Sequence, residues 1–286
     1  MNEAVLKEQE PHGTALFPLR VHEFVSDTTL SERVATHWHP EYELLVVTVG
    51  QALLHINGHS YQIQKDDVAI IQPDQLHAIT AKIGTPFGFY AVVFDPIFLQ
   101  SAVPDGIQQQ YLSQPLQTPV VIAPDHRFAS ELNRELATIR QEFATESPAY
   151  TLQIKGHLFL AWSWLAQLAD PKQAQEVSGG VAVDLTKDII AYIQQHYAQH
   201  LSLTILADYF NLSKSHLCRL FKKTTKMALT DYINATRITR STELLRTTTE
   251  SISTIAGQVG FNNISYYNKL FHRRLQMTPS EYRQRK

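Results

Sequence analysis

The sequence predicts an α+β chain of two domains: an antiparallel β domain followed by two helices, then an all-α domain built on a duplicated helix-turn-helix. Three observations carry that reading. Short apolar runs broken by turn residues fill positions 20–94 without a helical period. A helical period takes over after about Pro124. Residues 206–232 then match residues 255–282. A length of 286 residues, 44% hydrophobic and 18% charged, suits two domains with real cores and excludes a disordered or fibrous chain.

The β elements begin in the stretch from Arg20. Glu43–Val49 and Gln51–Ile56 are apolar runs separated by Gly50, and Asn57-Gly58 is a strong hairpin signal before His59–Ile63. Lys65-Asp66-Asp67 turns the chain into Val68–Ile71, and Phe89–Phe94 reads as the last strand. Strands at this spacing without helices between them form an antiparallel sandwich or a small barrel.

Asp125 is then placed to cap a helix whose apolar positions are Phe128, Leu132, Leu136, Ile139 and Phe143. Pro148 opens a second, with Leu152, Leu158, Phe159, Trp162, Leu165 and Leu168. Such a pair packs on the β domain, closes it as a lid, or meets a second copy of the chain. Asp170–Val183 has no period and contains a Gly pair. The domains are therefore expected at 1–170 and 184–286, with 171–183 as linker.

Charge divides the same way. The formal net charge is −2, from 25 Lys+Arg and 27 Asp+Glu. Residues 1–183 hold 10 of the basic and 20 of the acidic side chains, which is −10. The remaining 15 basic and 7 acidic residues give +8 to 184–286. A basic module on an acidic body points to a polyanionic partner. One cysteine, Cys218, excludes an internal disulfide. No apolar run approaches the ~18 residues of a membrane span, and the start lacks a signal-peptide core, so a cytoplasmic location and no membrane partner are expected.

Each copy of the repeat has helix-turn-helix form. In the first, Leu203–Phe210 is a short helix, Asn211-Leu212 the turn, and Ser213 the cap of a helix to about Thr224. Leu217, Leu220 and Phe221 fall on its inner face, leaving Ser215, Cys218, Arg219 and Lys222 outside. In the second, Ile255–Val259 is the short helix and Gly260-Phe261 the turn. The helix at about Ile264–Arg274 buries Tyr267, Leu270 and Phe271 and offers Ser265, Tyr266, Lys269 and Arg273 outward. A helix of this kind fits the major groove of double-stranded DNA. Lys214, Lys222, Lys223, Lys226, Arg273 and Arg274 are placed for phosphates. Between the copies Tyr232–Arg246 reads as one long helix, with Ile233, Ile238, Leu244 and Leu245 inward. It would hold two reading helices for successive major grooves, roughly 34 Å apart.

The second copy, from Ile255-Ala256 through Gly260-Phe261-Asn262 to Phe271 and Met277-Thr278-Pro279-Ser280-Glu281-Tyr282-Arg283, closely resembles the signature of AraC/XylS transcription regulators. Ser213-Lys214-Ser215-His216-Leu217-Cys218-Arg219-Leu220-Phe221 resembles that family's first recognition helix. The resemblance covers about 184–286. It places the base-contacting positions at Ser215, Cys218, Arg219, Ser265, Tyr266 and Lys269. Small Ser215 and Cys218 have less reach than the long side chains often found there, so Arg219 would carry most of the first half-site's readout.

In the acidic segment, His37-Trp38-His39-Pro40-Glu41-Tyr42-Glu43 followed by Gly50 reads His-x-His-x3-Glu-x6-Gly. On an unbroken strand His37, His39 and Glu43 would share a face, although Pro40 interrupts strand hydrogen bonding. With His77 they make three imidazoles and one carboxylate, a donor set suited to Zn, Ni, Mn or Fe. The run resembles the first cupin motif, and Pro73 with His77 resembles the second without its usual glycine. The resemblance implies a cupin-like antiparallel β-barrel as the N-terminal domain, one that in AraC-type regulators often holds sugars or other small effectors. Three uses stand open for these residues. They are hydrogen-bonded structure; or they bind effector directly, with Trp38 or Tyr90 stacking on a sugar face; or they hold a divalent metal, with or without effector.

The expected function is a sequence-specific regulator responding to a small, sugar-like effector, not an enzyme. It would act as a homodimer, and as an activator through RNA polymerase. The competing class is a metal-dependent cupin enzyme with a DNA-binding appendage, using His37, His39, Glu43 and His77 as ligands. A nucleoid-type protein without effector control is a third reading and predicts little preference among DNA sequences.

Overall fold

A computed structural model describes residues 12–14, 16–25, 32–101, 103, 105–112, 116–168, 180–275 and 277–284. The chain divides into two compact units between Gly179 and Gly180.

The first unit contains strands β1 (Leu19–Val25), β2 (Glu32–His37), β3 (Tyr42–Ile56), β4 (His59–Gln64), β5 (Val68–Ile71), β6 (His77–Thr80), β7 (Phe87–Phe94) and β8 (Val121–Ile122). All pairings are antiparallel. The first half of β3 runs between β7 and β5, giving the order β1-β7-β3-β5-β8. Its second half pairs β4 on one side and β6 on the other, and β6 in turn pairs β2. One long strand therefore serves two sheets. Among the described residues β1, β8, β2 and β4 each pair on one side only, so the expected cupin-like antiparallel roll forms with its edges open.

Gly50 does not end a strand as the sequence suggested. β3 passes through it at φ +77°, with a register shift between Val47 and Val49. A Cβ there would lie 2.0 Å from the carbonyl oxygen of Pro86, so only glycine lets the neighbouring backbone approach. The Asn57-Gly58 turn forms as expected, with φ of 47° and 87°, the positive pair a two-residue hairpin requires.

Alternation along the strands sorts side chains into two cores. Leu45, Val47, Leu54, Ile56, Ile63, Ile71, Phe87, Phe89 and Val93 fill the interior between the sheets. Leu44, Val46, Ile70, Tyr90, Val92 and Phe94 face the other way, onto helices α1 (Ala129–Thr145) and α2 (Tyr150–Gln167). Those helices bury Leu132, Leu136, Ile139, Ile154, Leu158, Trp162 and Leu165 against the sheet. Asp125 does not cap α1: the helix starts four residues later, after Phe128 at φ 66°, with no side-chain cap. Leu152, 71% exposed, and Phe159 lie on the outer face of α2 rather than in the core.

The second unit is all helical. It comprises α3 (Gly180–His196), α4 (Leu203–Tyr209), α5 (Lys214–Thr225), α6 (Leu229–Thr247), α7 (Ile252–Gln258), α8 (Ile264–Leu275) and α9 (Pro279–Gln284). α3 was not expected, and its first turn occupies residues 180–183 of the expected linker. The linker's other residues, 171–179, lie outside the described residues. Ser213 caps α5, its Oγ accepting from His216 N at 3.2 Å. Ser251 caps α7 in the same way from Thr254 N at 3.0 Å, which starts that helix three residues earlier than its apolar pattern suggested. Leu206, Ala207, Leu217 and Phe221 are buried in the first module, and Ile255, Ala256, Tyr267 and Phe271 take the equivalent places in the second. The Tyr267 hydroxyl is satisfied by donating to Ser241 Oγ at 3.1 Å.

Candidate functional site

His37, His39, Glu43 and His77 converge. One ligand atom from each lies within 4.8 Å of all the others. They do not share one strand: β2 ends at His37, His39 sits in the connection, and β3 starts at Tyr42. Pro40 interrupts the run, and the connection supplies the convergence instead. Glu43 pairs across to Ile71 and Val93, so its side chain faces the interior between the sheets. His77 opens β6 directly opposite His37. His39, Glu43 and His77 are buried, while His37 is partly open.

Each imidazole is aimed from behind by its Nδ1. His37 Nδ1 donates to the carbonyl of Ala35 at 2.8 Å, His39 Nδ1 to Glu41 at 3.1 Å, and His77 Nδ1 to Gln75 at 2.8 Å. His39 Nε2 is 3.2 Å from Glu43 Oε2, and His77 Nε2 is 3.3 Å from the same oxygen. Burial pushes the Glu43 carboxyl up, but where His39 and His77 donate to it and carry charge, those hydrogen bonds and charges outweigh burial and hold it well below the usual carboxylate range.

A neutral imidazole has one N–H, which in His39 and His77 is committed to a backbone carbonyl. Each Nε2 then turns a lone pair toward a carboxylate. That arrangement is repulsive unless both rings carry a second proton or a cation lies among the four groups. Three imidazoles and one carboxylate, with every Nδ1 fixed by a carbonyl, form a donor set with its supporting shell in place. The residues fit a divalent transition metal.

The structure does not bring Tyr90 to this cluster. It lies on the opposite face of the sheet, in the core under α1, with the Arg140 guanidinium 4.9 Å from its ring centroid. Its phenol is pushed up to about 12, chiefly by burial. Trp38, next to His37 in the chain, is half-buried. Sequence reasoning missed His12 and His22. The His12 ring packs 5.2 Å from that of His39, and His12 Nδ1 is 3.0 Å from His22 Nε2. Position along the chain carried no signal for His12, which precedes the first strand.

In the second unit Lys214, Ser215, Arg219, Lys222 and Lys223 are exposed on α5, as are Ser265, Lys269 and Arg273 on α8. Cys218 is half-buried and stands less far out than its neighbours. Tyr266 is 48% exposed, and its hydroxyl accepts from Asn234 Nδ2 on α6 at 3.2 Å. The outward faces of α5 and α8 are thus polar and basic.

Residues 22–162 match the family model of the AraC-like ligand binding domain, and residues 206–285 match a helix-turn-helix domain model. The chain is similar to the uncharacterized HTH-type transcriptional regulator YdeC of Bacillus subtilis, 24% identical and covering 97% of this chain and 96% of that protein. It is also similar to the HTH-type transcriptional activator RhaR of Yersinia pestis, 25% identical over 89% of this chain and 86% of that protein. Among solved structures, ToxT from Vibrio cholerae matches at 14% identity with a TM-score of 0.47, covering 93% of this chain and 98% of that one. With a ligand-binding domain and a helix-turn-helix domain matched in that order, the chain belongs to the AraC family and is a DNA-binding transcription regulator.

Proposed function

We propose that this regulator senses a small polyhydroxylated, sugar-like effector in its N-terminal domain, together with a divalent metal ion held by His37, His39, Glu43 and His77. The observation that carries the reading is the proton accounting at that cluster: three imidazoles converge on one carboxylate, His39 and His77 through Nε2, with each Nδ1 already donating. Four ligand atoms within 4.8 Å leave space for an ion and none for a sugar ring among them. Bound there, the ion would act as a Lewis acid toward effector hydroxyls. The effector itself would arrive on the side of partly open His37, where Trp38 offers a stacking face.

Effector and ion would favour one arrangement of the regulator over another and so change promoter occupancy. α5 and α8 are the reading helices, with Arg219, Ser265 and Lys269 at base edges and Lys214, Lys222, Lys223 and Arg273 at phosphates. The Yersinia relative is named an activator, which supports activation as the sign of regulation; contact with RNA polymerase and a cytoplasmic location belong to the same proposal. A homodimer is supported by α2, whose exposed face (Leu152, Gly156, Phe159, Leu160, Ser163) carries no charge on an otherwise acidic domain. The competing enzyme reading rests on the same four ligands; relatives named as regulators along nearly the whole chain favour regulation.

The test is metal content by mass spectrometry on protein purified without chelator. DNA occupancy is then measured against a panel of monosaccharides with and without Zn, Mn, Fe(II) or Ni. One ion per chain is expected, lost in His39→Ala together with the sugar response, while basal DNA binding survives. Absence of stoichiometric metal, with a chelator changing neither stability nor response, would refute the metal; an unchanged sugar response in His39→Ala would remove the cluster from effector sensing.

A further inference from the structure

α6 joins the two helix-turn-helix modules, and a single joining helix leaves torsion and bending at both of its ends. The structure contains a second strut. α3 packs on α5 in the first module. It is also tied to α6 by Gln194 Nε2, which donates to the Tyr232 hydroxyl at 3.0 Å. Just past its C-terminal end, α3 meets the second module. Arg237 of α6 donates from Nε to the Tyr197 carbonyl at 2.8 Å and from Nη2 to the Gln199 carbonyl at 2.9 Å. The same guanidinium lies 5.6 Å from the ring centroid of Phe261, in the turn between α7 and α8.

Gly260, also in that turn, shows how closely the parts fit. At φ +92° a Cβ would stand 2.6 Å from the Tyr197 carbonyl oxygen and 3.0 Å from Arg237 Nε. The second turn therefore seats directly on the end of α3, with one planar cation satisfying two carbonyls beside it. Arg237 is half-buried, so its fork is held by packing as well as by hydrogen bonds.

We propose that Arg237 is a positioning residue for bipartite DNA recognition: it locks the second module's turn to α3 and so fixes the separation at which the two reading helices accept their half-sites. The inference rests on α5 and α8 both being reading helices. Rigid linkage makes the second half-site encounter intramolecular at one spacing and unfavourable at others. Loss of the clamp would leave each helix's base preference intact while widening the range of spacings.

The experiment selects bound sequences from duplexes carrying about 40 random base pairs, enough for two half-sites one helical turn apart. It compares the full-length protein with Arg237→Ala and Arg237→Lys. Wild type should enrich two motifs at a single separation. Arg237→Ala should enrich the same motifs over several separations, bind the wild-type spacing about tenfold more weakly, and bind duplexes with one motif as wild type does. Arg237→Lys keeps the positive charge but loses the fork, and should keep both motifs with intermediate spread. An unchanged single spacing in Arg237→Ala overturns the proposal. Loss of the second motif in both variants also overturns it, because Arg237 would then only be folding that module. A single motif in wild type removes the bipartite reading beneath it, an outcome distinct from either.

Discussion

Replacing Glu43 by Gln tests the site with almost no change of shape. In the wild-type protein the buried carboxylate meets two imidazole Nε2 atoms at 3.2 and 3.3 Å. The amide removes the charge and one metal-ligating oxygen, yet its NH2 can donate to an Nε2 lone pair. With chelator present, the amide keeps the shape of the carboxylate and one of its hydrogen bonds, so the variant should lie within about 1 kcal/mol of wild type. With metal present the two should part. At an ion concentration 100 times its Kd, wild type gains about 2.7 kcal/mol. Losing a direct ligand weakens affinity by at least the order of 100-fold seen for supporting residues. The variant then gains only about 0.4 kcal/mol at the same concentration. The difference of about 2.3 kcal/mol corresponds to roughly 5–9 °C in Tm for a domain of this size. The assay is thermal unfolding of both proteins with chelator, then with excess Zn, Mn, Fe(II) or Ni. Equal metal-dependent shifts in the two proteins would refute Glu43 as a ligand. A wild-type Tm indifferent to every metal would refute the site.

Arg219→Ala should cost on the order of 1–3 kcal/mol on the preferred duplex and relax discrimination at one base pair. Equal loss on random DNA would count against that role. Lys223→Ala should weaken all duplexes alike and lower the salt slope by about one ion, read from affinities at several salt concentrations. Gly50→Ala places a Cβ 2.0 Å from the Pro86 carbonyl oxygen at φ +77°, and should destabilise the N-terminal unit by on the order of 3 kcal/mol or more. Urea unfolding should show that loss in the first unit only; an unmoved midpoint would contradict the close approach. Tyr90 is raised from 10 to about 12, so its contribution is fully present below pH 10 and lost as pH rises through 12, up to about 3 kcal/mol. Tyr90→Phe should unfold less steeply with alkali over that window, and identical curves would exclude Tyr90 as the cause.

Local rules explain which parts were legible. The Asn57-Gly58 hairpin, the Ser213 cap and the buried Leu217, Phe221, Tyr267 and Phe271 follow from turn chemistry and from i, i+3, i+4 spacing. Gly50 misled because a strand can keep a left-handed glycine when a neighbouring backbone needs the room. Asp125 misled because capping needs the helix to begin beside it, and packing started α1 after Phe128 instead. α3 lacked a repeat partner to draw attention to it. Tyr90 was an aromatic near the right strands, but its parity with Val92 and Phe94 turns it away from Glu43.

The division of charge, −10 against +8, the duplicated module and the four metal-type side chains were determined by the sequence alone, since composition, repeats and residue chemistry are properties of the chain. Tertiary structure decided that His37 and His39 meet Glu43 through a connection and not along one strand, and that every Nδ1 is already engaged. It also decided that Arg237 reaches both the end of α3 and the second turn. These are contacts between segments up to 40 residues apart. No local period encodes them, because they are set by where packed elements end.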